Sequence, residues 1–316
     1  MKSTFAIRTY TLVAIIVTTL PMQAEEGGTG HYVPGGAATL IDLPPTKAGW
    51  VIEPIYLHYE GDAFVFRPIP VGGLLAGGLD ATSDAFILGG VYTFEEEVLG
   101  AHYSVAAYAP YVWMQVDASI TTPLGTLHRS DSEDGFGDMT LVPVMMAWKK
   151  DYWQFNAMLP IYAPTGDYET GRLANTGLNY WTFDPTLGVS YNNSKNGFNC
   201  AIFTGITLNT ENNDTNYQSG SVWHLDASVQ QLLPVGKGFL GVGANAFVYD
   251  QVTGDGGSGA KLGGFEARTL GVGPTLTYIL PSEQTNLVVE ARWLPELTTK
   301  NRTQGDFFWL KFVCQF

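Results

Sequence analysis

The chain is short of charge. Of its 316 residues only 15% are Asp, Glu, Lys or Arg, against about 25% in an ordinary soluble domain. Cations are the scarcer sign: 16 Lys and Arg stand against 30 Asp and Glu, a formal net charge of −14. That balance excludes a nucleic-acid partner, which needs a basic footprint. Cysteine is nearly absent. Cys200 and Cys314 belong to no CxxC or His-rich tract, so zinc and thiol-redox motifs are excluded. Each falls on the apolar face of a predicted strand and reads as a small hydrophobe. Long apolar runs are missing as well. Past residue 24 none approaches the roughly 20 apolar residues of a membrane helix. The longest, Leu141 to Trp148, has eight residues and contains Pro143. A membrane-spanning form of this chain must therefore be a closed barrel. Walker, dinucleotide, HExxH and GxSxG motifs are also absent, and neither a cofactor nor catalytic residues are expected.

What is present is apolar but evenly mixed. Hydrophobic residues make up 45%, aromatics 13%, and there are 37 glycines, yet the mean hydropathy is only +0.04. A wall that alternates between lipid and a wet lumen has this composition. The N-terminus carries Lys2 and Arg8, an apolar stretch over Tyr10–Leu20, and Ala24 before Glu25-Glu26. These are the parts of a signal peptide, expected to be cut after Ala24.

Runs of about ten residues with period-two alternation predict twelve strands. They are Trp50–Glu60, Asp84–Phe94, Ala101–Val116, Asp138–Trp148, Tyr152–Tyr162 and Trp181–Tyr191, then Phe198–Asn209, Val222–Leu233, Phe239–Tyr249, Thr269–Leu280, Asn286–Leu294 and Phe307–Phe316. The connections alternate long and short along the chain. Long ones cover 61–83, 117–137, 163–180, 210–221, 250–268 and 295–306. That sorting, with an even strand count, predicts an all-β, antiparallel up-and-down transmembrane barrel over residues 50–316, its short turns periplasmic. Residues 25–49 read as coil: a periplasmic leader or a lumen plug, with Tyr32, Val33, Leu40, Ile41 and Leu43 available to bury.

The faces of these strands nominate residues. In the last strand Phe308, Leu310, Phe312, Cys314 and Phe316 form one apolar face. A final strand ending in Phe resembles the signal by which the barrel-assembly machinery recognises outer-membrane proteins. The polar faces are expected to line the lumen, with His224, Asp226, Ser228 and Gln230 on one strand, Glu290 and Arg292 on another, and Lys311 on the last. His224, Asp226 and Ser228 do not form a catalytic triad by themselves. Residues four apart on a strand are about 13 Å apart, beyond hydrogen-bond reach. The bland reading of each polar group is a structural network in the wall. Asp167, Glu169 and Arg172, in the third long loop, are candidates for a constriction if that loop folds inward. Asp131, Glu133, Asp134 and Asp138 gather hard oxygens without an EF-hand pattern, so no metal site is assigned. The first strand resists assignment, because Glu53 shares a face with Val51, Ile55 and Leu57.

Three stretches carry a family likeness. They are Gly28-Thr-Gly-His-Tyr-Val-Pro-Gly-Gly36, Gly135-Phe-Gly-Asp-Met-Thr-Leu-Val-Pro143, and Ala163-Pro-Thr-Gly-Asp-Tyr-Glu-Thr-Gly-Arg172 continuing through Asn175, Asn179-Tyr-Trp181 and Phe183-Asp-Pro185. Together they resemble the outer-membrane barrel family named for the meta pathway of phenol degradation, whose members are described as transporters. The likeness spans nearly the whole chain after the leader, and the PTGDY segment is its most specific part. It implies a bacterial outer-membrane protein passing small hydrophobic or aromatic solutes, with membrane lipid around it. Two other expectations stand beside this one: a plugged structural or adhesive barrel, and an outer-membrane hydrolase.

Overall fold

A computed structural model describes residues 30–63, 69–71, 74–76, 78–122, 125–260, 264, 266–281 and 285–316. The expected signal peptide lies outside the described residues.

Twelve antiparallel strands close into a ring. They are β1 (Gly49–Ala63), β2 (Leu79–Val98), β3 (Ala101–Thr122) and β4, which runs as Gly125–Phe136 and Met139–Lys150. Next come β5 (Trp153–Met158 and Ile161–Ala163), β6 (Thr182–Phe183 and Thr186–Asn193) and β7 (Phe198–Ile206 and Leu208–Asn209). The last five are β8 (Val222–Val235), β9 (Gly238–Gln251), β10 (Arg268–Leu280), β11 (Asn286–Lys300) and β12 (Gln304–Gln315). Each strand pairs with its neighbours in sequence. The ring shuts where β12 meets β1, in register from Val51↔Gln315 to Asp62↔Gln304.

Alternation explains the strands. On β8 the side chains of Val222, His224, Asp226, Ser228 and Gln230 are buried, while those between them, from Trp223 to Val229, turn outward. β12 buries Phe307, Trp309 and Lys311 and turns Phe308, Leu310, Phe312 and Phe316 outward. The outside of the ring carries exposed Phe86, Leu88, Val242, Val272, Leu276, Val289 and Trp293. Apolar surface on this scale is stable against lipid rather than water. Cys200 and Cys314 are both unpaired and partly exposed.

Strands on the long-loop side reach further than the alternation alone indicated. The stretch 117–137, read as a loop, is a hairpin. Its ladder continues from Tyr111↔Phe136 to Thr122↔Gly125. Likewise 295–306 is mostly strand, with β11 and β12 extending to Lys300 and back from Gln304. Beyond the lipid both faces of a strand are wet, so the apolar signal stops before the hydrogen-bond ladder does. On the other side the connections are tight. Leu99 and Gly100 both adopt positive φ, 53° and 73°, the backbone of a two-residue hairpin turn.

The first strand is resolved by what it faces. β1 points Val51, Glu53, Ile55 and Tyr59 inward and Trp50 outward. Its inner side is apolar because the lumen is apolar there. The buried charged side chains Asp226, Glu290, Arg292 and Lys311 stand on β8, β11 and β12, the last of which rejoins β1 at the seam.

Candidate functional site

Residues 30–48 run inside the barrel, held by three anchors on its wall. The first is Asp42, at the end of a single turn, Leu40–Asp42. Its Oδ2 accepts from the backbone N–H groups of Ala38 and Thr39, both at 2.8 Å, satisfying the turn's free donors. The same oxygen accepts from Arg292 Nη2 at 2.5 Å, and Oδ1 accepts from Lys311 Nζ at 2.7 Å. Arg292 also ion-pairs with Glu290 and donates to Gly35 O. Lys311 Nζ donates to Gly36 O at 2.5 Å, Trp309 Nε1 donates to Pro34 O at 3.0 Å, and Thr39 Oγ1 donates to Glu290 Oε1 at 2.8 Å. Two carboxylates thus face two cations with nearly every polar atom engaged, the arrangement that makes buried charge tolerable. Burial opposes ionisation of Asp42, but the fields of Arg292 and Lys311 outweigh it and hold the carboxyl down at about 2.

The second anchor is Tyr32. Its ring stacks on His224 with centroids 3.9 Å apart and planes at 18°. Its hydroxyl donates to Asp226 Oδ2 at 2.6 Å, and Gly35 N donates to Oδ1 at 2.9 Å. His224 Nε2 donates to Asp184 Oδ1 at 2.9 Å, which fixes the plane of the imidazole. Burial, reinforced by the Asp226 charge, pushes the Tyr32 phenol well above its ordinary range, so it remains a donor.

The third anchor is His31. Its Nε2 donates to Asp138 Oδ2 at 2.9 Å, and its Nδ1 lies 2.7 Å from Thr182 Oγ1. Asp138 sits at the break in β4. It also accepts from Gly166 N at 2.8 Å and Leu178 N at 2.7 Å. One carboxylate therefore joins the N-terminal segment to the loop between β5 and β6.

That loop folds inward, although the residues singled out from the sequence do not form its inner edge. Asp167 and Glu169 are exposed. Arg172 ion-pairs with Asp131 and Glu133 on the outer hairpin. The inward side chains are Leu173 and Ala174, buried against Ala63, Leu79, Val116 and Ala118. Burying a charge inside the barrel without a partner is costly, and the small apolar residues take that place instead. The acidic cluster is likewise occupied by protein: Asp134 accepts from Tyr111 Oη at 2.7 Å. Among the described residues no group of three or more His, Cys, Asp or Glu side chains could hold a metal ion.

Between the N-terminal segment and the β1–β5 side lies a cavity of about 460 Å³. Ile55, Leu57, Ile87, Met114, Val142 and Met145 give it apolar walls, with the Glu53 carboxyl, bonded by Tyr108 Oη at 3.1 Å, set among them. The volume falls in the usual range for small-molecule sites, as does the mix of many apolar and few polar groups.

Of the residues expected in the lumen, His224, Asp226, Gln230, Glu290, Arg292 and Lys311 are buried in these networks, with Gln230 Nε2 donating to Thr277 Oγ1 at 2.9 Å. Ser228 points inward too, but its Oγ has no partner among the described residues. His224 is oriented by Asp184, so His224, Asp226 and Ser228 do not act together as a nucleophilic set. Phe308, Leu310, Phe312 and Phe316 lie on the outer face, where Phe316 N donates to Trp50 O at 2.9 Å. Sequence reading missed Asp42, Asp138 as a joint, and the Asp184–His224 pair. For Asp42 a signal existed: Thr39 and Asp42 have capping-box spacing.

A family model described as "Putative MetA-pathway of phenol degradation" matches residues 64–312. The chain belongs to this family. The phenol-degradation family barrel resembles a solved outer membrane channel from Pseudomonas putida F1, with TM-score 0.64 at 15% identity over 90% of this chain and 100% of that one. The β-domain of the Bordetella autotransporter BrkA aligns with TM-score 0.49 at 10% identity, over 85% of this chain and 100% of that one. Among curated proteins none matches the sequence.

Proposed function

We propose that this protein is an outer-membrane conduit for small apolar or aromatic molecules, closed to bulk water by residues 30–48. The observation that carries this reading is the apolar cavity beside the segment. A general porin has a polar interior, whereas β1–β5 turn Ile55, Ile87, Val142 and Met145 into the lumen. Support comes from the fold, shared with a barrel described as an outer membrane channel, and from the family description, which names phenol degradation. The mechanism is diffusion down a gradient with no covalent step.

The test is single-channel conductance of refolded protein in a planar bilayer, with aromatic solutes as blockers. Small conductance that aromatic solutes block, rising sharply when residues 30–48 are deleted, is the expected result. Large conductance that no aromatic solute affects would rule the reading out. Unchanged conductance after the deletion would remove the segment's role as a seal.

A further inference from the structure

We infer that the barrel wall carries a phenol-binding site and that Tyr32, the chain's own phenol, occupies it. The site lies on β8 and β9. His224 offers a flat face, held in plane by Asp184 2.9 Å from its Nε2. Tyr249, the cross-strand partner of His224 on β9, is a second ring stacked with Tyr32, centroids 6.1 Å apart. Val222 and Ala267 close the slot with apolar contacts. At its end the Asp226 carboxylate accepts the Tyr32 hydroxyl at 2.6 Å. Asp226 is 1% exposed, so whatever fills the slot must bring a donor to it.

These features select one ligand class. A planar ring gains the stacking contacts. A hydroxyl on that ring satisfies a buried carboxylate, and leaving such a group unpaired carries its full desolvation cost. Toluene supplies the ring without the donor. Benzoate brings a second negative charge to Asp226. An aliphatic alcohol lacks the flat face. Tyr32 meets every requirement from within the chain, and it sits on the segment that fills the lumen. An external phenol entering the slot displaces Tyr32 and, with it, the contact between Gly35 and Asp226. The ligand and the internal side chain compete, and binding is linked to release of one of the segment's three anchors.

This inference deepens the conduit reading and rests on it for the route by which a phenol arrives. The experiment is calorimetric titration of full-length refolded protein with p-cresol and with toluene. In the Tyr32→Ala protein p-cresol is expected to bind about tenfold or more tighter than in the wild type, and about tenfold or more tighter than toluene does in the same variant. Adding Asp226→Ala, which removes the acceptor, should erase the preference for p-cresol. Tyr32→Phe keeps the ring and removes only the hydroxyl, so it disturbs the barrel least. There p-cresol should compete more readily than in the wild type. Equal binding of p-cresol and toluene by a folded Tyr32→Ala barrel, or no gain in Tyr32→Phe, would overturn the site. Passage of toluene into liposomes is read separately. Binding without passage would sink the conduit and leave the site standing, and passage without binding would do the reverse.

Discussion

Arg292 reaches Asp42 across 250 positions of sequence, with Nη2 and Oδ2 2.5 Å apart. The pair fastens the N-terminal segment to the inside of β11. The guanidinium is fully buried and the carboxylate nearly so. Breaking a buried pair from one side costs about 3–5 kcal/mol, because the remaining charge is stranded. Asp42→Ala is therefore expected to loosen residues 30–48 while the strands stay paired. Hydrogen exchange would show it as lost protection at Ala38 and Thr39 with no change in β8 or β9. Retained protection would mean that the other two anchors suffice.

The same carboxylate sets a pH dependence. Its folded value, about 2, lies below the ordinary Asp value near 4. A depressed acid contributes its stability above the unfolded value and loses it as pH falls through the folded one. The segment's attachment should hold at pH 5 and above and weaken between about pH 4 and about pH 2, by about 2 kcal/mol in all. Conductance or protease access recorded across that window checks the prediction, and Asp42→Asn should remove this part of the dependence.

Gly35 has φ of 80°, and a Cβ there would lie 2.4 Å from Leu294 Cδ1. Its N–H serves Asp226 and its C=O serves Arg292. Gly35→Ala must either strain the backbone or lift the segment from β11. Raised conductance in the bilayer, at least as large as for Asp42→Ala, is the expected outcome. Wild-type behaviour would show that the segment shifts without releasing the wall.

The cysteines report on the outer surface. Cys200 shares a face with exposed Ile202, and Cys314 with exposed Phe312. In liposomes a lipid-soluble maleimide should label both and a charged one neither. Labelling by the charged reagent would place these faces in water.

The strands were legible wherever the two faces differ. β8 and β12 alternate so strictly that each lumen residue could be assigned to a face from sequence. β1 was not legible, because the rule of a polar lumen fails where the barrel encloses an apolar cavity, and Glu53 then looks misplaced. Strand ends on the long-loop side were hidden for a related reason: β3 and β4 continue their ladder in water, where the two faces are alike. The anchors were the least readable part. Tyr32 with Asp226, and His31 with Asp138, are joined by the path of residues 30–48 through the barrel, and no local pattern encodes a partner more than a hundred positions away.

The position of residues 30–48 bears on how the ring shuts. β1 and β12 are the most distant neighbours in the sequence, and bringing them together is the largest loop closure in the fold. The segment just before β1 is already tied to Trp309 and Lys311 on β12 and to Arg292 on β11. Once these contacts form, Gly49 is tethered beside its partner strand, and the rest of the β1–β12 ladder zips as a local event. The segment is then the guide that aligns the seam as well as the occupant of the finished lumen. A chain lacking it should still close, but more slowly, with more of its first strand left searching for its mate.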